Sequence, residues 1–180
     1  MKRIIPMLLV IAVLLCGCSP GAEESFVKFI SQTAGAETLS FTAEVRAEFA
    51  YKTLSFTLGF DRDSDGAVIE VIKPALLAGV RARIRDGETV LEYEGAMLDV
   101  GELTDGMSPL SAVPMLYRAM TDGHIELAWE EDGLLAARLI PEDNIAVTLL
   151  ITPELVPVRA EISDSERTLV FIEINDWKLN

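Results

Sequence analysis

The fold is decided by one stretch of alternating residues, Leu39-Ser40-Phe41-Thr42-Ala43-Glu44-Val45-Arg46-Ala47-Glu48-Phe49. Apolar and polar side chains alternate along its whole length, which is the pattern of a β-strand with one face buried and the other in water. Residues 54–60 repeat the pattern, with large apolar side chains at every second position: Leu54, Phe56, Leu58 and Phe60. The two segments flank a short connection at residues 51–53 and therefore predict a long antiparallel hairpin.

Outward from this hairpin, strand-like segments continue almost to the C-terminus. They are predicted at residues 67–73, 80–85, 89–93, 97–100, 125–130, 134–140, 145–151, 156–162 and 168–177. Most are separated by tight turns, which favours antiparallel pairing of consecutive strands. A sheet of about ten strands usually curls or closes. We therefore expect a mainly β (α+β) protein built on one curved antiparallel sheet.

Two segments have helical spacing instead. Residues 25–33 place four apolar side chains at near-helical spacing and therefore predict one short amphipathic helix: Phe26, Val27, Phe29 and Ile30. Residues 108–122 begin with Ser108 as an N-cap and are followed by Asp122-Gly123, which is typical of a helix end. One face of this second helix carries four apolar side chains: Leu110, Val113, Tyr117 and Met120. We expect it to lie on the concave side of the sheet.

The start of the chain is typical of an export signal rather than of a folded domain. Lys2 and Arg3 precede an almost wholly aliphatic run at residues 4–15. The run ends in Leu15-Cys16-Gly17-Cys18, which resembles the lipobox of bacterial lipoproteins. The resemblance implies that Cys18 is acylated and becomes the first mature residue.

Two alternatives remain for this segment, a transmembrane anchor and a disulfide between Cys16 and Cys18. A membrane span needs roughly 20 residues, which is longer than this apolar run. A disulfide across one intervening residue would be strained. We therefore predict a signal peptide at residues 1–17, a lipidated tether at 18–24 and a domain at 25–180, held on the extracytoplasmic face of the cell membrane.

The charge of the chain limits its partners. The formal net charge is −14, and the predicted signal carries two basic residues and no acidic ones, so the mature part is still more negative. This acidity argues against nucleic acid, whose binding depends on Lys and Arg. It also argues against an additional electrostatic contact with anionic lipid headgroups.

The sequence offers little catalytic chemistry. His124 is the one histidine, and it stands at the start of a predicted strand. We find no Cys/His cluster for zinc, no Gly-rich phosphate loop and no Gly-x-Ser-x-Gly nucleophile motif. We therefore expect a protein that is not an enzyme and has no metal or other cofactor.

Two charged motifs each have a functional and a structural interpretation. Asp61-Arg62-Asp63-Ser64-Asp65-Gly66 matches the start of a calcium loop, but Ile72 stands where the bidentate carboxylate is needed. The alternative is an acidic hairpin turn in which Gly66 has a positive φ. Three arginines on one strand face, at positions 81, 83 and 85, could bind an anion. We favour a solvated face that is paired across strands with Glu70 or Glu92.

The layout of strands and helices resembles the LolA-like family, an open half-barrel whose concave side is covered by helices. The similarity is most detailed in the last third. It covers residues 151–162 and Thr168-Leu169-Val170-Phe171-Ile172-Glu173-Ile174, which is similar to the closing strand of that family. The resemblance implies that the concave surface holds an acyl chain, the lipid of a lipoprotein or another apolar ligand. Some lipid-anchored members are partners of cell-envelope or spore-cortex enzymes.

The candidate ligand-binding residues are the large apolar side chains expected on the concave side. They are Phe41, Val45, Phe49, Phe56, Phe60, Tyr117, Met120 and Trp129. This set predicts a membrane-anchored lipoprotein that binds lipid, acyl chains or a lipidated protein. The alternative is that the same side chains only fill the core, and that the protein is a non-catalytic scaffold or partner of an envelope enzyme.

Overall fold

A computed structural model describes residues 20–49, 52–85, 88–101, 109–142, 144–164 and 167–180. The predicted signal peptide, Cys18 and Ser108 lie outside these residues. In the part that is described, no helix is both long enough and apolar enough to span a membrane.

Eleven strands form one antiparallel sheet, where the alternating segments predict about ten. They are β1 (Leu39–Phe49), β2 (Lys52–Asp63), β3 (Gly66–Lys73), β4 (Arg81–Arg85), β5 (Glu88–Tyr93), β6 (Ala96–Gly101), β7 (His124–Glu131), β8 (Leu134–Glu142), β9 (Ile145–Ile151), β10 (Pro157–Asp164) and β11 (Arg167–Leu179). Their order across the sheet is β6-β5-β4-β3-β2-β1-β11-β10-β9-β8-β7. The sheet is open, because β6 and β7 are its two edges.

The sheet consists of two meanders joined at its middle. Strands β1 to β6 pair in sequence, and β7 to β11 pair in sequence. The joint is the pairing of β1 with β11, in which Val45 is opposite Ile172 and Ala47 is opposite Val170. The first and the last strand of the chain are therefore central neighbours.

Two helices cover one face of this sheet. Helix α1 spans Pro20–Gly35 and helix α2 spans Pro109–Asp122. Helix α2 contacts β1, β2, β8 and β10, while α1 contacts α2, β7 and β8. The predicted half-barrel with helices on its concave side is confirmed. Helix α1 begins earlier than the predicted helix and includes residues 20–24, which the sequence pattern had assigned to the tether.

The core lies between the helices and the concave face, which is the helix-covered face. From the helices it takes Phe26, Phe29, Val113, Leu116 and Met120, all fully buried. From the sheet it takes the inward positions of the alternating strands, among them Leu39, Phe41, Ala43, Val45, Leu58, Phe60, Ile162 and Ile172. The alternation of apolar and polar side chains thus becomes an inner and an outer face of the same sheet.

The two ambiguous charged motifs have structural roles. Residues 64 and 65 form the turn between β2 and β3, where the backbone amide of Asp65 donates to Asp63 Oδ1 at 2.8 Å and Gly66 has φ +132°. Arg81 Nε lies 3.0 Å from Glu70 Oε2, and Arg83 Nε lies 3.0 Å from Glu92 Oε2. The acidic turn and the cross-strand ion pairs are both confirmed.

Candidate functional site

A continuous row of aromatic rings crosses the concave side. The ring centroids of Phe29 and Trp177 lie 6.2 Å apart, and those of Trp177 and Phe41 lie 5.7 Å apart. Phe41 and Phe60 follow at 4.8 Å, and Phe60 and Tyr117 at 5.3 Å. We call these five residues the aromatic row. It runs from α1 over β11, β1 and β2 to α2, and so it connects both helices through the sheet.

The backbone positions each ring of this row. Phe41 is the direct cross-strand partner of Phe60, which explains their stacking. Trp177 reaches the same face through an irregularity in β11, where Asp176 has φ 54° and the register with β1 shifts. Strict alternation from the inward Ile172 and Ile174 would place residue 177 on the other face. Trp177 was therefore not among the predicted ligand-binding residues, although the Asp before it is a residue type that tolerates this conformation.

Six of the eight predicted residues gather on the concave side. Phe41, Val45, Phe60 and Met120 are fully buried, and Phe56 and Tyr117 are half-buried against the same core. Phe49 is the last residue of β1, and its side chain is outside the described set. Val45 is the cross-strand partner of Phe56, so these two share a position on neighbouring strands.

Trp129 is not part of this group. The expectation that Ile125, Leu127 and Trp129 share a face is wrong, because the register of β7 shifts between Ile125 and Leu127. Ile125 pairs with the buried Leu139, whereas Trp129 pairs with Ala136 and lies on the convex face. Its indole Nε1 donates to Glu131 Oε2 at 3.0 Å, in an exposed setting.

The centre of the concave side is filled by the protein's own side chains. Phe41 is 3% exposed, Phe60 is 1% exposed and Met120 is 0% exposed. The half-buried residues mark the rim of this region, with Phe56 on the sheet and Met115 and Tyr117 on α2. An apolar ligand would therefore enter at the rim and displace side chains rather than occupy an existing void.

Helix α2 lacks one of its backbone hydrogen bonds. Pro114 lies inside the helix and has no amide to donate to the preceding turn. The second half has additional polar contacts: Thr121 Oγ donates to the Tyr117 carbonyl at 3.1 Å, and Arg118 Nη1 lies 3.3 Å from Glu142 Oε2. In the first half, Ser111 also has a partner, and Ala112 and Val113 are fully buried. The missing donor at Pro114 lowers the cost of bending the helix at that residue.

Catalytic groups are not assembled around this region. His124 is exposed at the first position of β7. Within the described ranges, no three His, Cys, Asp or Glu side chains are grouped so that they could hold a metal ion. The absence of enzymatic activity stays a prediction.

Comparison with solved structures identifies the fold. A LolA superfamily protein from Nitrosomonas europaea superposes with a TM-score of 0.52 at 9% sequence identity, over 88% of this chain and 93% of that one. An uncharacterised conserved protein from Thermus thermophilus gives 0.52 at 11% identity, over 88% and 87%. A DUF1329 family protein from Desulfovibrio piger gives 0.51 at 11% identity, over 89% and 92%. No protein-family profile and no curated protein sequence matches the chain.

Proposed function

The chain has the LolA-like half-barrel fold, and from this premise we propose that it is a membrane-anchored, extracytoplasmic lipoprotein that binds an acyl chain between α2 and the concave face. The acyl chain belongs to a free lipid or to a lipidated protein. The observation that supports this function is the aromatic row, which extends from the buried centre to the half-buried Tyr117 on α2. It offers a ligand one unbroken apolar surface once the helix moves.

The helix provides the means of entry. Met115 and Tyr117 lie at the rim on α2, one turn or less from Pro114. Met side chains adapt to ligands of irregular shape because they are unbranched and flexible. Large permanent voids are rare in protein interiors, so a site that opens only when it is occupied is physically reasonable. Buried acyl methylenes would each contribute about 0.8 kcal/mol, which offsets the cost of displacing side chains.

A titration with a fluorescent fatty acid tests this function. A variant that begins at Ser19 keeps every described strand and helix and has no cysteine to acylate. We expect saturable binding by this protein and at least about tenfold weaker binding by Tyr117→Ala, because truncation removes the end of the aromatic row; a tenfold change corresponds to about 1.4 kcal/mol. Thermal melts confirm that both proteins are folded.

Trp129→Ala is the matched control. Trp129 is also a half-buried aromatic residue, but it lies on the convex face of β7. Its removal should leave fatty-acid binding within twofold of the parent protein, an allowance on the order of 0.4 kcal/mol. Equal losses in the two variants would contradict a site on the concave side.

A second function is favoured by the filled centre of the concave face. Phe41, Phe60 and Met120 already occupy the space that a ligand would need. On this alternative the protein is a lipid-anchored scaffold or partner of an envelope enzyme, and its concave side is only a core. A folded protein without saturable fatty-acid binding would favour the alternative, and purification of the full chain with a bound envelope enzyme would then establish it.

A further inference from the structure

We propose that the convex face carries a second binding site, which takes a basic, amphipathic peptide segment of a partner protein. The site is a cavity of about 890 Å³ on the side of the sheet that is opposite to α1 and α2. Its volume is within the range of about 300–1,000 Å³ that is usual for ligand pockets. Neither the aromatic row nor helix α2 takes part in it.

The cavity has a sheet for its floor and a loop for its wall. The floor is formed by β10, β11, β1 and β2. Its charged side chains and Phe171 are at outward positions of these strands, and three residues at inward positions also border it: Val45, Phe56 and Ile172. The wall is the loop after β3, from which Lys73, Pro74 and Ala75 face the cavity. The next residue of this loop, Leu76, is 87% exposed, so an exposed apolar side chain follows the wall of the site. Exposed apolar groups of this kind are typical of interaction surfaces.

Two carboxylates oppose each other in the floor. Glu44 of β1 and Glu173 of β11 are direct cross-strand partners, and both line the cavity. Like charges in directly opposite positions destabilise a sheet. On its other side Glu173 is opposite Arg159, whereas Glu44 is opposite the neutral Thr57, so Glu44 lacks a cation at a directly opposite position. Neither carboxylate makes a hydrogen bond or an ion pair with any residue in the described part of the chain. A cationic group of a ligand, placed between them, would remove this repulsion.

The neighbouring row of the floor is apolar. Phe171 lies two residues before Glu173, is half-buried and lines the cavity. The guanidinium carbon of Arg46 lies 4.9 Å from the Phe171 ring centroid, so this cation is already engaged by the ring. The Phe171 ring and the Arg46 stem together offer an apolar contact beside the carboxylate pair.

The spacing of the two rows fits an extended peptide. Glu44 and Arg46 are two residues apart on β1, as are Phe171 and Glu173 on β11. Side chains i and i+2 of an extended peptide lie on one face, roughly 7 Å apart. A peptide that lies along these strands would place a Lys or Arg over the carboxylates and, two residues away, an apolar side chain over Phe171.

The charge of the whole protein favours this ligand over an anionic lipid headgroup. The net charge of −14 attracts cationic segments and repels anionic surfaces over long distances. The cavity itself contains three acidic and three basic side chains, Glu44, Glu161 and Glu173 with Arg46, Lys73 and Arg159. The cation of such a peptide segment is complementary to the carboxylate pair, and it is also attracted over long distances by the negative net charge of the protein.

Fluorescence anisotropy with defined peptides tests the site. The full chain, acylated and held in phosphatidylcholine nanodiscs, is titrated into a labelled peptide of sequence Lys-Ser-Leu-Ser-Lys-Ser-Leu. We expect saturable binding that weakens as salt is raised. The double variant Glu44→Gln with Glu173→Gln should bind at least tenfold more weakly and melt no lower than the parent, since it removes a repulsion.

Matched variants separate the site from diffuse charge attraction. Glu130→Gln with Glu154→Gln makes the same change of net charge at exposed positions outside the cavity, and it should change affinity less than twofold. Phe171→Ser should weaken binding at least fivefold, while Phe171→Leu should keep most of it. Equal losses for the two Glu pairs would overturn the proposal.

Further control measurements test other ligands of the same cavity. Binding of a Glu-Ser-Leu-Ser-Glu-Ser-Leu peptide, or of phosphatidylglycerol vesicles, in place of the Lys peptide would also overturn the proposal. A saturating fatty acid should leave the anisotropy titration unchanged, because the aromatic row and the carboxylate pair are on opposite faces of the sheet. The fatty-acid site is tested by its own titration. A negative result for one site therefore does not contradict the proposal for the other.

Discussion

Single residues decide which way the side chains of this sheet point. Asp176 has φ 54°, and the irregularity at this residue brings Trp177 into the aromatic row. The register shift between Ile125 and Leu127 has the reverse effect on Trp129, whose side chain lies on the convex face because of it. One extra residue in a strand reverses the face of every later side chain. Alternation predicted correctly that the side chains of Phe41, Val45 and Phe60 point to the concave face, because β1 and β2 pair without a register shift along these residues.

Gly66 is a position where only glycine fits. It has φ +132°, and a Cβ atom there would lie 2.4 Å from the Ile84 carbonyl oxygen. Gly66→Ala should therefore lower the free energy of unfolding by about 2 kcal/mol or more, through backbone strain and a clash with the neighbouring strand. Urea denaturation measures this loss.

The matched control for this substitution is Gly95→Ala. Gly95 also has a positive φ, +84°, but nothing lies within 4 Å of the added Cβ atom. We expect a cost of about 1 kcal/mol, from strain alone. If the two variants were equally stable, close packing against Ile84 would not be the reason that position 66 is glycine.

Cys18 carries the predicted anchor. Cys18→Ser should release the protein from the membrane fraction or leave its signal uncut, because a hydroxyl side chain does not take the thioether-linked lipid. Cys16→Ser, two residues earlier, should leave the anchor intact. Cell fractionation with immunoblotting distinguishes the two variants. If Cys18→Ser stayed in the membrane fraction and Cys16→Ser were released from it, Cys16 would be the acylated residue.

At the scale of elements, α2 is the part of the fold that decides between the two functions. Its bounds, Pro109–Asp122, agree closely with the predicted helix, since both its start and its end carry strong local signals. Which of its side chains are fully buried against the core could not be predicted in the same detail. Leu116 is fully buried, and Tyr117 is only half-buried although it was expected to face the sheet. The crossing angle of a helix on a sheet, which decides such differences, is not encoded in helical periodicity.

Pro114→Ala tests whether α2 acts as a movable lid. Alanine restores the amide donor that proline lacks, and it should stabilise the helix by on the order of 1–3 kcal/mol. We expect a higher melting temperature and a slower association rate for the fluorescent fatty acid, measured by stopped flow. Pro109→Ala, at the first position of the same helix, should change neither, because proline is tolerated there. An unchanged association rate in Pro114→Ala would mean that ligands enter elsewhere.

At the scale of the whole molecule, the sheet depends on one pairing that local patterns do not reveal. The alternating segments predict about ten strands and the neighbours within each meander, since those are joined by tight turns. The pairing of β1 with β11 joins residues as far apart as Leu39 and Leu179. No local signal in either strand specifies the other, and only the requirement that both apolar faces be buried brings them together.

Native-state hydrogen exchange should reflect this arrangement. Strands β1 and β11 each have a neighbour on both sides, whereas β6 and β7 are edges. We expect the amides of β1 and β11 to exchange most slowly, at a rate set by global unfolding, and those of β6 to exchange fastest among the strands. Mass spectrometry of peptic fragments resolves the strands. Faster exchange in β1 than in β5 would indicate that the two meanders separate before they unfold.

The same pairing has a consequence for biosynthesis. A ribosome makes β1 early and β11 last, so the middle of the sheet stays incomplete until the final 13-residue strand has been made. Until then β1 presents an unpaired edge, and its apolar face lacks the covering that β11 and Trp177 provide. Unpaired strand edges of this kind promote aggregation. A nascent chain of this protein should therefore need protection by chaperones until β11 has been made, and a premature stop before Arg167 should give an insoluble product rather than a shortened domain.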